Sequence, residues 1–447
     1  AREAGYDGVE GMGSEGYFIN QFLSQATKLR TDARGGDYSH RMRLPVEILA
    51  RMREAVGPDF IIIYRLSMID LVPGGSAWDE IVTLGKAVAT GGANIVNTGI
   101  GWHEARVPTI ATSVPRAAFA WVTQKMKAEF AAAGITTPLV TSNRINTPEV
   151  AEQVLADGCA DMVSMARPSS QTPHRPAAAI GGQLNMAKVV PGKEEFHEML
   201  RYLATRVQDT GVHLHLNQRV QAADLMDYDE VVIATGVEPR DPQIPGQDHP
   251  KVLSYIDVLR HGKPVGQRVA VIGAGGIGFD VAEFLVHGNH PSTTLDLPAW
   301  KAEWGITDPA EARGGLATAG PHVTPPARHV TLLQRKKGKL GAGLGKTTGW
   351  IHRTTLKMKA VEMVGGVNYE RIADEGLLVS YGDKRENPTW IPCDTVVLCA
   401  GQVPLFSLAQ ELEAAGRKPY RIGGALEAGG LDAKRAIDQA ARLAARL

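Results

Sequence analysis

Short apolar runs alternate with helical patterns along the first third of the chain. Each of five such runs ends in a polar or glycine-rich tip: YDGVEGMGSEGY, DFIIIYRLSM, ANIVNTGIGWH, PLVTSNRI and ADMVSMARP. Because strand and helix alternate, the pattern predicts a parallel sheet. Polar residues at every strand tip favour a (β/α)8 barrel over an open doubly wound sheet. We therefore expect residues 1–168 to form the last five βα units of a TIM barrel, with about three units missing.

A second pattern, RVAVIGAGGIGFDVAEFL at residues 268–285, predicts a strand, a tight turn and a helix. Gly273 permits the turn, Gly275 leaves room for a pyrophosphate, and Gly278 lets helix and strand pack closely. The phosphates would lie at the positively polarised N-terminus of the helix. The stretch therefore predicts a Rossmann-type dinucleotide site.

The residue at the end of the next strand distinguishes the two nicotinamide dinucleotides. After an insertion from about Gly288 to Ala327, the run HVTLLQRKKGK ends in basic residues and carries no acid. An acid would bind a ribose 2′-hydroxyl, whereas a guanidinium binds a 2′-phosphate. The sequence favours NADP(H), with Arg335 as the phosphate ligand. A solvated basic loop is the alternative.

An internal repeat pairs YDEVVIATGVEP, residues 228–239, with CDTVVLCAGQVP, residues 393–404. Each copy combines an acid, a β-branched strand and a turn of small residues, which is typical of reductases with nested FAD and NAD(P) domains. Two unrelated buried strands would give the same pattern. The predicted boundaries are these: a linker at 169–180, an incomplete FAD-type domain at 181–265 and 397–447, and an NADP(H)-binding Rossmann domain at 266–396.

Composition narrows the class of protein. The 447 residues contain 48 lysines and arginines and 48 acids, so no net charge favours nucleic acid. No apolar run is long enough to cross a membrane. Three isolated cysteines predict no disulfide framework, which favours a cytoplasmic location. The pair His213 and His215 could ligate a metal, but no third ligand is nearby, so an exposed strand face and no metal site are expected.

Chemically active side chains follow the predicted barrel strands. Tyr17 and His103 can handle a proton at a carbanion left by hydride addition. Arg65 would lie near the electron-rich part of a flavin ring, where a positive charge stabilises the reduced anion. Arg144 and Arg167, at the last two strand tips, suit the phosphate of flavin mononucleotide. Surface arginines in ion pairs are the alternative.

These stretches resemble bacterial NADPH-dependent 2,4-dienoyl-CoA reductases, which join an old-yellow-enzyme-type FMN barrel to an FAD/NADP reductase module. The resemblance covers nearly the whole chain and includes MGSEGYFINQFLS, IVNTGIGWHEARVPTIAT, VGQRVAVIGAGGIGFD and GKTTGWIHRTTLKM. It implies that Tyr17 and His103 are the catalytic pair. The implied FMN and FAD contacts are as follows: Arg65, Arg144, Ala166 and Arg167 for FMN, and Gln183, Gly236, Gly401 and Gly424 for FAD.

The resemblance implies an enzyme of unsaturated fatty acid β-oxidation that uses NADPH, FAD and FMN to reduce the conjugated C=C bond of an acyl-CoA thioester. Alternatives are a flavin ene-reductase for other enones and a non-catalytic remnant that binds NADP(H) or a protein partner. Two family features are missing after Pro168: the cysteine ligands of a [4Fe–4S] cluster and the FAD glycine loop. An acid of the family is replaced by Leu426. We therefore expect a longer native polypeptide, extended at its N-terminus and with an insert before Gly181.

Overall fold

The computed structural model describes four stretches of the chain: residues 1–27, 30–165, 179–430 and 432–447. These stretches form two compact units, each with its own sheet and core. The first unit is Ala1–Pro168 with Pro291–Thr324, and the second is Ser169–His290 with Pro325–Leu447.

The first unit contains a parallel five-stranded sheet in the order β1 to β5. The strands are β1 (Gly8–Gly13), β2 (Ile61–Ile69), β3 (Ile95–Ile100), β4 (Leu139–Thr141) and β5 (Met162–Val163). The helices are α1 (Phe18–Leu23), α2 (Tyr38–Arg41), α3 (Arg43–Val56), α4 (Trp78–Thr90), α5 (Ala120–Ala132) and α6 (Pro148–Ala156). The predicted TIM-barrel-type order of strands is confirmed, and all five carboxyl ends lie along one edge of the sheet.

Alternation along β2 separates a packed face from a polar one. Tyr64 and Leu66 are 3% and 1% exposed, whereas Arg65 between them points to the other face of the sheet. Arg65 is the register partner of Met12 on β1 and of Asn97 on β3. In this row, Arg65 and Asn97 place polar groups on the face of the sheet opposite the helix-packed core.

The second unit begins with elements that precede residue 291. They are α7 (Leu184–Ala187), α8 (Phe196–Asp209), β6 (Val232–Ile233), β7 (Val237–Pro239), β8 (Val252–Ser254), α9 (Tyr255–Leu259), β9 (Arg268–Ile272) and α10 (Gly276–His287). Residues 212–216, including His213 and His215, form no strand. The segment is exposed as expected, but the expected strand is wrong, since no strand among the described residues pairs with it.

Residues Pro291–Thr324, here called the strap, interrupt the second unit and pack in the first. The strap contains α11 (Leu297–Trp304), in which Trp300 and Trp304 are buried. The Trp300 ring meets that of Phe119 edge to face, with centroids 5.9 Å apart. The predicted nucleotide domain, residues 266–396, included this insertion, whereas the structure assigns it to the barrel-type unit because its aromatic side chains are buried there.

The chain then completes the second unit. Its remaining elements are β10 (His329–Gln334), α12 (Gly349–Met358), β11 (Glu362–Gly365), β12 (Val367–Ala373), β13 (Gly376–Tyr381), β14 (Glu386–Ile391), β15 (Thr395–Leu398), β16 (Gln402–Pro404), α13 (Ser407–Ala414), β17 (Tyr420–Arg421) and α14 (Ala433–Ala444). A parallel sheet in the order β11-β10-β9-β15-β8 carries the predicted dinucleotide loop, and the part of the unit built on it is here called the nucleotide half. Three smaller sheets accompany it: β12-β13-β14, β16-β7 and β17-β6.

A buried ion network ties the strap to the first unit. Glu80 accepts hydrogen bonds from Arg41 at 2.7 Å and from Arg313 of the strap at 2.6 Å. Burial raises the pKa of Glu80, but hydrogen bonds from Arg313, the Ala77 amide and Arg41 outweigh it and leave the pKa below its ordinary value. A carboxylate with a lowered pKa stabilises the fold above its unfolded pKa, and this contribution is lost as the pH falls through the folded pKa.

Replacing Glu80 with glutamine should therefore lower the free energy of unfolding at pH 7 by about 3–5 kcal/mol, because two arginines lose their shared counter-charge. Urea unfolding at pH 7 and below the ordinary glutamate pKa of 4.5 measures this. The difference from the unmodified chain should shrink at the lower pH. The matched control is Glu129→Gln, which removes a half-exposed pair with Lys86 and should cost under about 1 kcal/mol. Equal losses for both variants would contradict the prediction.

Candidate active site and cofactor sites

Tyr17 and His103 meet at the carboxyl edge of the first unit's sheet. Tyr17 precedes α1 after strand β1, and His103 follows strand β3. The Tyr17 hydroxyl and His103 Nε2 are 2.7 Å apart, and the two rings meet edge to face with centroids 4.9 Å apart. The Tyr17 side chain remains 45% exposed. A phenol paired with an imidazole in an open position can transfer a proton to a bound molecule.

Arg65 is linked to this pair by way of Glu15. Its Nη2 and Nε lie 2.8 and 3.0 Å from Glu15 Oε1. The carbonyl oxygen of Glu15 accepts a hydrogen bond from the His103 amide at 3.3 Å. Sequence reasoning missed Glu15, although its place in the SEGY stretch next to Tyr17 was a usable signal. The structure thus brings Tyr17 and His103 into contact and links Arg65 to them through Glu15.

The polar face of the sheet fits a flavin ring. Asn97 donates a hydrogen bond to Glu10 at 2.7 Å, while its Oδ1 is buried and lacks a hydrogen-bond partner among the described residues. Buried polar atoms are almost always hydrogen-bonded, so a molecule bound at this face should donate to this oxygen. A flavin ring offers one N–H and two carbonyl oxygens, which suit Asn97 Oδ1 and the Arg65 guanidinium. These residues would hold an FMN ring at this face.

The predicted phosphate ligands are only partly described. Arg144 follows β4 in a left-handed backbone conformation with φ of 60°, and its Nε donates to the Val114 carbonyl at 2.9 Å. Ala166 and Arg167 lie outside the described residues. The roles of Arg144 and Arg167 at an FMN phosphate, and of Ala166 as an FMN contact, therefore stay predictions.

The dinucleotide loop has the predicted strand, turn and helix, β9 and α10. Gly273 has φ of 112°, and a Cβ there would collide with the Cys399 carbonyl. A Cβ at Gly278 would collide with the Gly273 carbonyl, so helix and turn approach as closely as glycine allows. A Cβ at Gly275 would meet nothing within 4 Å. The open space over Gly275 at the helix N-terminus fits a pyrophosphate.

Arg335 lies at the same edge as this loop. It follows β10, which pairs in parallel with β9, and the Gly273 amide donates to the Leu333 carbonyl at 2.9 Å. Its side chain is exposed. This position suits a ligand of a ribose 2′-phosphate. That role of Arg335 stays a prediction.

A cavity of about 480 Å³ lies in the FAD-type part of the second unit. Gln183, Gly236 and Gly424 line it, together with residues from the first turns of α14. Gly401 is not among the lining residues, and the Arg240 guanidinium lies 3.2 Å from the position of its missing Cβ. Three of the four predicted FAD residues therefore share one cavity. The glycines and alanines in its lining and the N-terminus of α14 fit part of a flavin nucleotide.

The cysteines do not fit an iron–sulfur centre. A [4Fe–4S] cluster takes four thiolate ligands, whereas this sequence contains three cysteines, of which Cys393 and Cys399 are buried. They and Cys159 are free. Across the described stretches, no three His, Cys, Asp or Glu side chains are grouped as metal ligands. Nor does any described helix have the length and apolar character needed to cross a membrane.

A barrel-type sheet with a flavin-compatible face, followed by a Rossmann dinucleotide site, defines a flavin- and pyridine-nucleotide-dependent oxidoreductase. Comparison with known families agrees with this class. Residues 133–423, more than half of the chain, match the pyridine nucleotide-disulphide oxidoreductase model, and the chain belongs to that family. Residues 1–179 match the NADH:flavin oxidoreductase / NADH oxidase family model.

Similar proteins cover both halves of the chain. A metal reductase of Desulforamulus reducens is 28% identical, with 96% of this chain and 75% of the relative aligned. An NADH oxidase of Thermoanaerobacter brockii is 25% identical, with 66% of this chain and 59% of the relative aligned. Among solved structures, a 2-naphthoyl-CoA reductase in complex with 2-naphthoyl-CoA has a TM-score of 0.82 at 21% identity, covering 100% of this chain and 74% of the other. This last likeness shows the fold.

Proposed function

We propose that the chain is an NADPH-dependent reductase of conjugated C=C bonds in acyl-CoA thioesters, of the 2,4-dienoyl-CoA reductase type. The observation that supports it most is the 2.7 Å contact between the Tyr17 hydroxyl and His103 Nε2. The name of the structural neighbour, a complex with 2-naphthoyl-CoA, adds support for a CoA thioester. The chain spans only 59% of the NADH oxidase it resembles, so activity of the whole protein belongs to this proposal.

Each residue of the pair has a defined task. Bound FMN would supply the hydride that adds to one carbon of the conjugated system. Tyr17 donates its proton to the carbanion that remains, so that the C=C π bond is replaced by two C–H bonds. His103 hydrogen-bonds the phenolic oxygen, stabilises the phenolate and returns a proton to it from solvent. Arg65 holds a positive charge at the flavin face of the sheet.

An anaerobic reaction with flavin-loaded protein tests this function. The protein is reduced with NADPH and mixed in a stopped-flow instrument with a 2,4-dienoyl-CoA, while flavin absorbance reports reoxidation. A saturated acyl-CoA of equal length is the matched control and should leave the flavin reduced. Reoxidation by simple enones but not by the dienoyl-CoA would instead support an ene-reductase. No flavin retention after loading with FMN and FAD would exclude both enzymes.

Replacing Arg335 with glutamine should weaken NADPH binding and spare NADH. A charge-assisted hydrogen bond is worth about 1.5–3 kcal/mol, so the Kd for NADPH should rise about 10- to 100-fold. Titration of both nucleotides by fluorescence measures the change. Arg442→Gln serves as the control, because Arg442 lies in an exposed pair with Asp438 on α14. An equal loss for NADH and NADPH would remove Arg335 from the phosphate site.

Binding of NADP(H) without electron transfer is a second candidate function. The nucleotide half has a complete five-stranded parallel sheet, whereas the FAD-type part has two sheets of two strands among the described residues. A sheet of two short strands has little stability of its own, so it supports a bound cofactor weakly. Tight NADPH binding together with failure to retain any flavin would favour this function over the reductase.

A further inference from the structure

Asp70 directly follows strand β2 and is fully buried. Its Oδ1 accepts hydrogen bonds from the Ser67 hydroxyl at 2.6 Å and from Trp102 Nε1 at 3.0 Å. Its Oδ2 accepts one from the Ser76 amide at 2.6 Å. The carbonyl of Asp70 also accepts from the Trp102 amide at 3.0 Å. One residue thus fixes both the indole and the main chain of Trp102, the residue before His103.

The strap holds the loop that carries Asp70. Leu71, the next residue, has a left-handed backbone with φ of 55°, which is costly for a leucine. Its amide donates to the Gly314 carbonyl at 2.8 Å, and the Gly314 amide donates to the Ser76 carbonyl at 3.0 Å. Gly314 therefore bonds to both sides of the 70–77 loop. These two bonds keep Leu71 in a conformation that it would otherwise avoid.

Only glycine fits at this point of the strap. Gly314 has φ of 76°, and a Cβ there would collide with the Val72 carbonyl. The strap is anchored on both sides of Gly314. Arg313 pairs with buried Glu80, and Asp308 pairs with Lys125 of α5. Because its surroundings are fixed, the strap cannot move aside to admit a side chain without disturbing the loop.

We propose that Asp70 is a positioning residue for His103, and that Gly314 of the strap maintains the loop conformation that lets Asp70 do so. The inference rests on the proposed function for its kinetic consequence and on geometry for the rest. The Asp70 side chain accepts three hydrogen bonds and donates none among those that the structure shows. The path runs from Gly314 through Leu71 and Asp70 to Trp102, and ends at the neighbouring His103.

Asp70→Asn tests the path at its centre with almost no change in shape. An asparagine can still accept from Trp102 and Ser67, but its NH2 would face the Ser76 amide, so two donors would meet. Gly314→Ala tests the strap end. The matched control is Gly320→Ala: Gly320 lies in the same strap with φ of 72°, and its Cβ would meet nothing within 4 Å. Both glycine variants carry the same backbone strain, so they differ only in the collision.

Two measurements are made on the full chain. The first is NMR of the histidine ring, without flavin, in protein labelled at histidine, with the His103 signal assigned by its loss in His103→Gln. Asp70→Asn and Gly314→Ala should shift or broaden this signal, whereas Gly320→Ala should leave it in place. The second is dienoyl-CoA reduction, in which both variants should lower kcat on the order of 10- to 100-fold with little change in KM.

An unmoved His103 signal in Asp70→Asn would overturn the proposal, as would equal shifts in Gly314→Ala and Gly320→Ala. Should Gly314→Ala fail to fold, Trp102→Phe replaces it, because phenylalanine removes the Nε1–H bond to Asp70 while keeping an aromatic ring. That variant must also shift the His103 signal. The NMR result does not depend on turnover. A chain inactive towards dienoyl-CoA would therefore contradict the proposed function, while the NMR experiment would still decide the positioning role.

Discussion

Replacing Tyr17 with phenylalanine is expected to slow the reoxidation of NADPH-reduced flavin by a dienoyl-CoA by about 10²–10⁴-fold, the usual contribution of a positioned acid. Flavin reduction by NADPH should be unaffected, since Tyr17 lies in the first unit and the dinucleotide loop in the second. The phenylalanine ring keeps the packing against His103 and removes only the hydroxyl that lies 2.7 Å from Nε2. Single-turnover stopped-flow absorbance separates the two half-reactions.

Two companion variants show whether the hydroxyl itself is responsible. Tyr6→Phe is the matched control, because Tyr6 is a tyrosine of the same unit with a side chain that is 67% exposed. It should react like the unmodified protein. His103→Ala should cause a smaller loss than Tyr17→Phe, as it leaves the acid in place and removes its partner. An unchanged reoxidation rate in Tyr17→Phe would assign protonation to His103 or to water.

Local patterns were sufficient for the strands and the dinucleotide loop. In FIIIYRLSM and RVAVIGAGG, strand-forming residues run directly into a polar or glycine tip, and the structure has β2 and β9 there. The same local logic placed Tyr17 and His103 on one edge, because the carboxyl ends of parallel strands meet. Their hydrogen bond depends on the register of β1, β2 and β3, which cannot be predicted from the sequence pattern.

These local patterns could not predict contacts between segments that are far apart in the chain. The strap reads as an insertion within a nucleotide domain, and its place in the first unit depends on the burial of Trp300 and Trp304. Their spacing of four on a short helix was a signal for a buried face, but it does not say which core receives it. Asp70 was likewise overlooked, since a carboxylate after a strand is ordinary until its three donors are seen.

The internal repeat shows how a correct motif can pair in an unexpected way. Val237–Pro239 of the first copy and Gln402–Pro404 of the second form one antiparallel pair, β7 with β16. The strand β15 of the second copy lies in the parallel sheet, whereas its counterpart β6 has two residues and pairs with β17. The repeat predicts two equivalent strands, whereas β6 has two residues and β15 has four.

Alanine at Gly275 and alanine at Gly278 should have different effects, although both glycines belong to one motif. At Gly275 the new methyl group would enter open space in the protein. The thermal stability of the unliganded chain should therefore be unchanged, while NADPH binding weakens about 10- to 100-fold because the methyl group occupies the pyrophosphate position. At Gly278 the methyl group collides with the Gly273 carbonyl, so stability and binding should fall together.

Calorimetric titration of NADPH and thermal unfolding without ligand separate these two outcomes. Gly343→Ala is the matched control, because Gly343 lies in another loop of the second unit and its Cβ would also meet nothing within 4 Å. This variant should retain both stability and affinity. If Gly275→Ala bound NADPH as tightly as Gly343→Ala, the pyrophosphate could not lie over Gly275. The helix N-terminus of α10 would then not be the phosphate site, since the open space above Gly275 is the feature that distinguishes it from an ordinary tight turn.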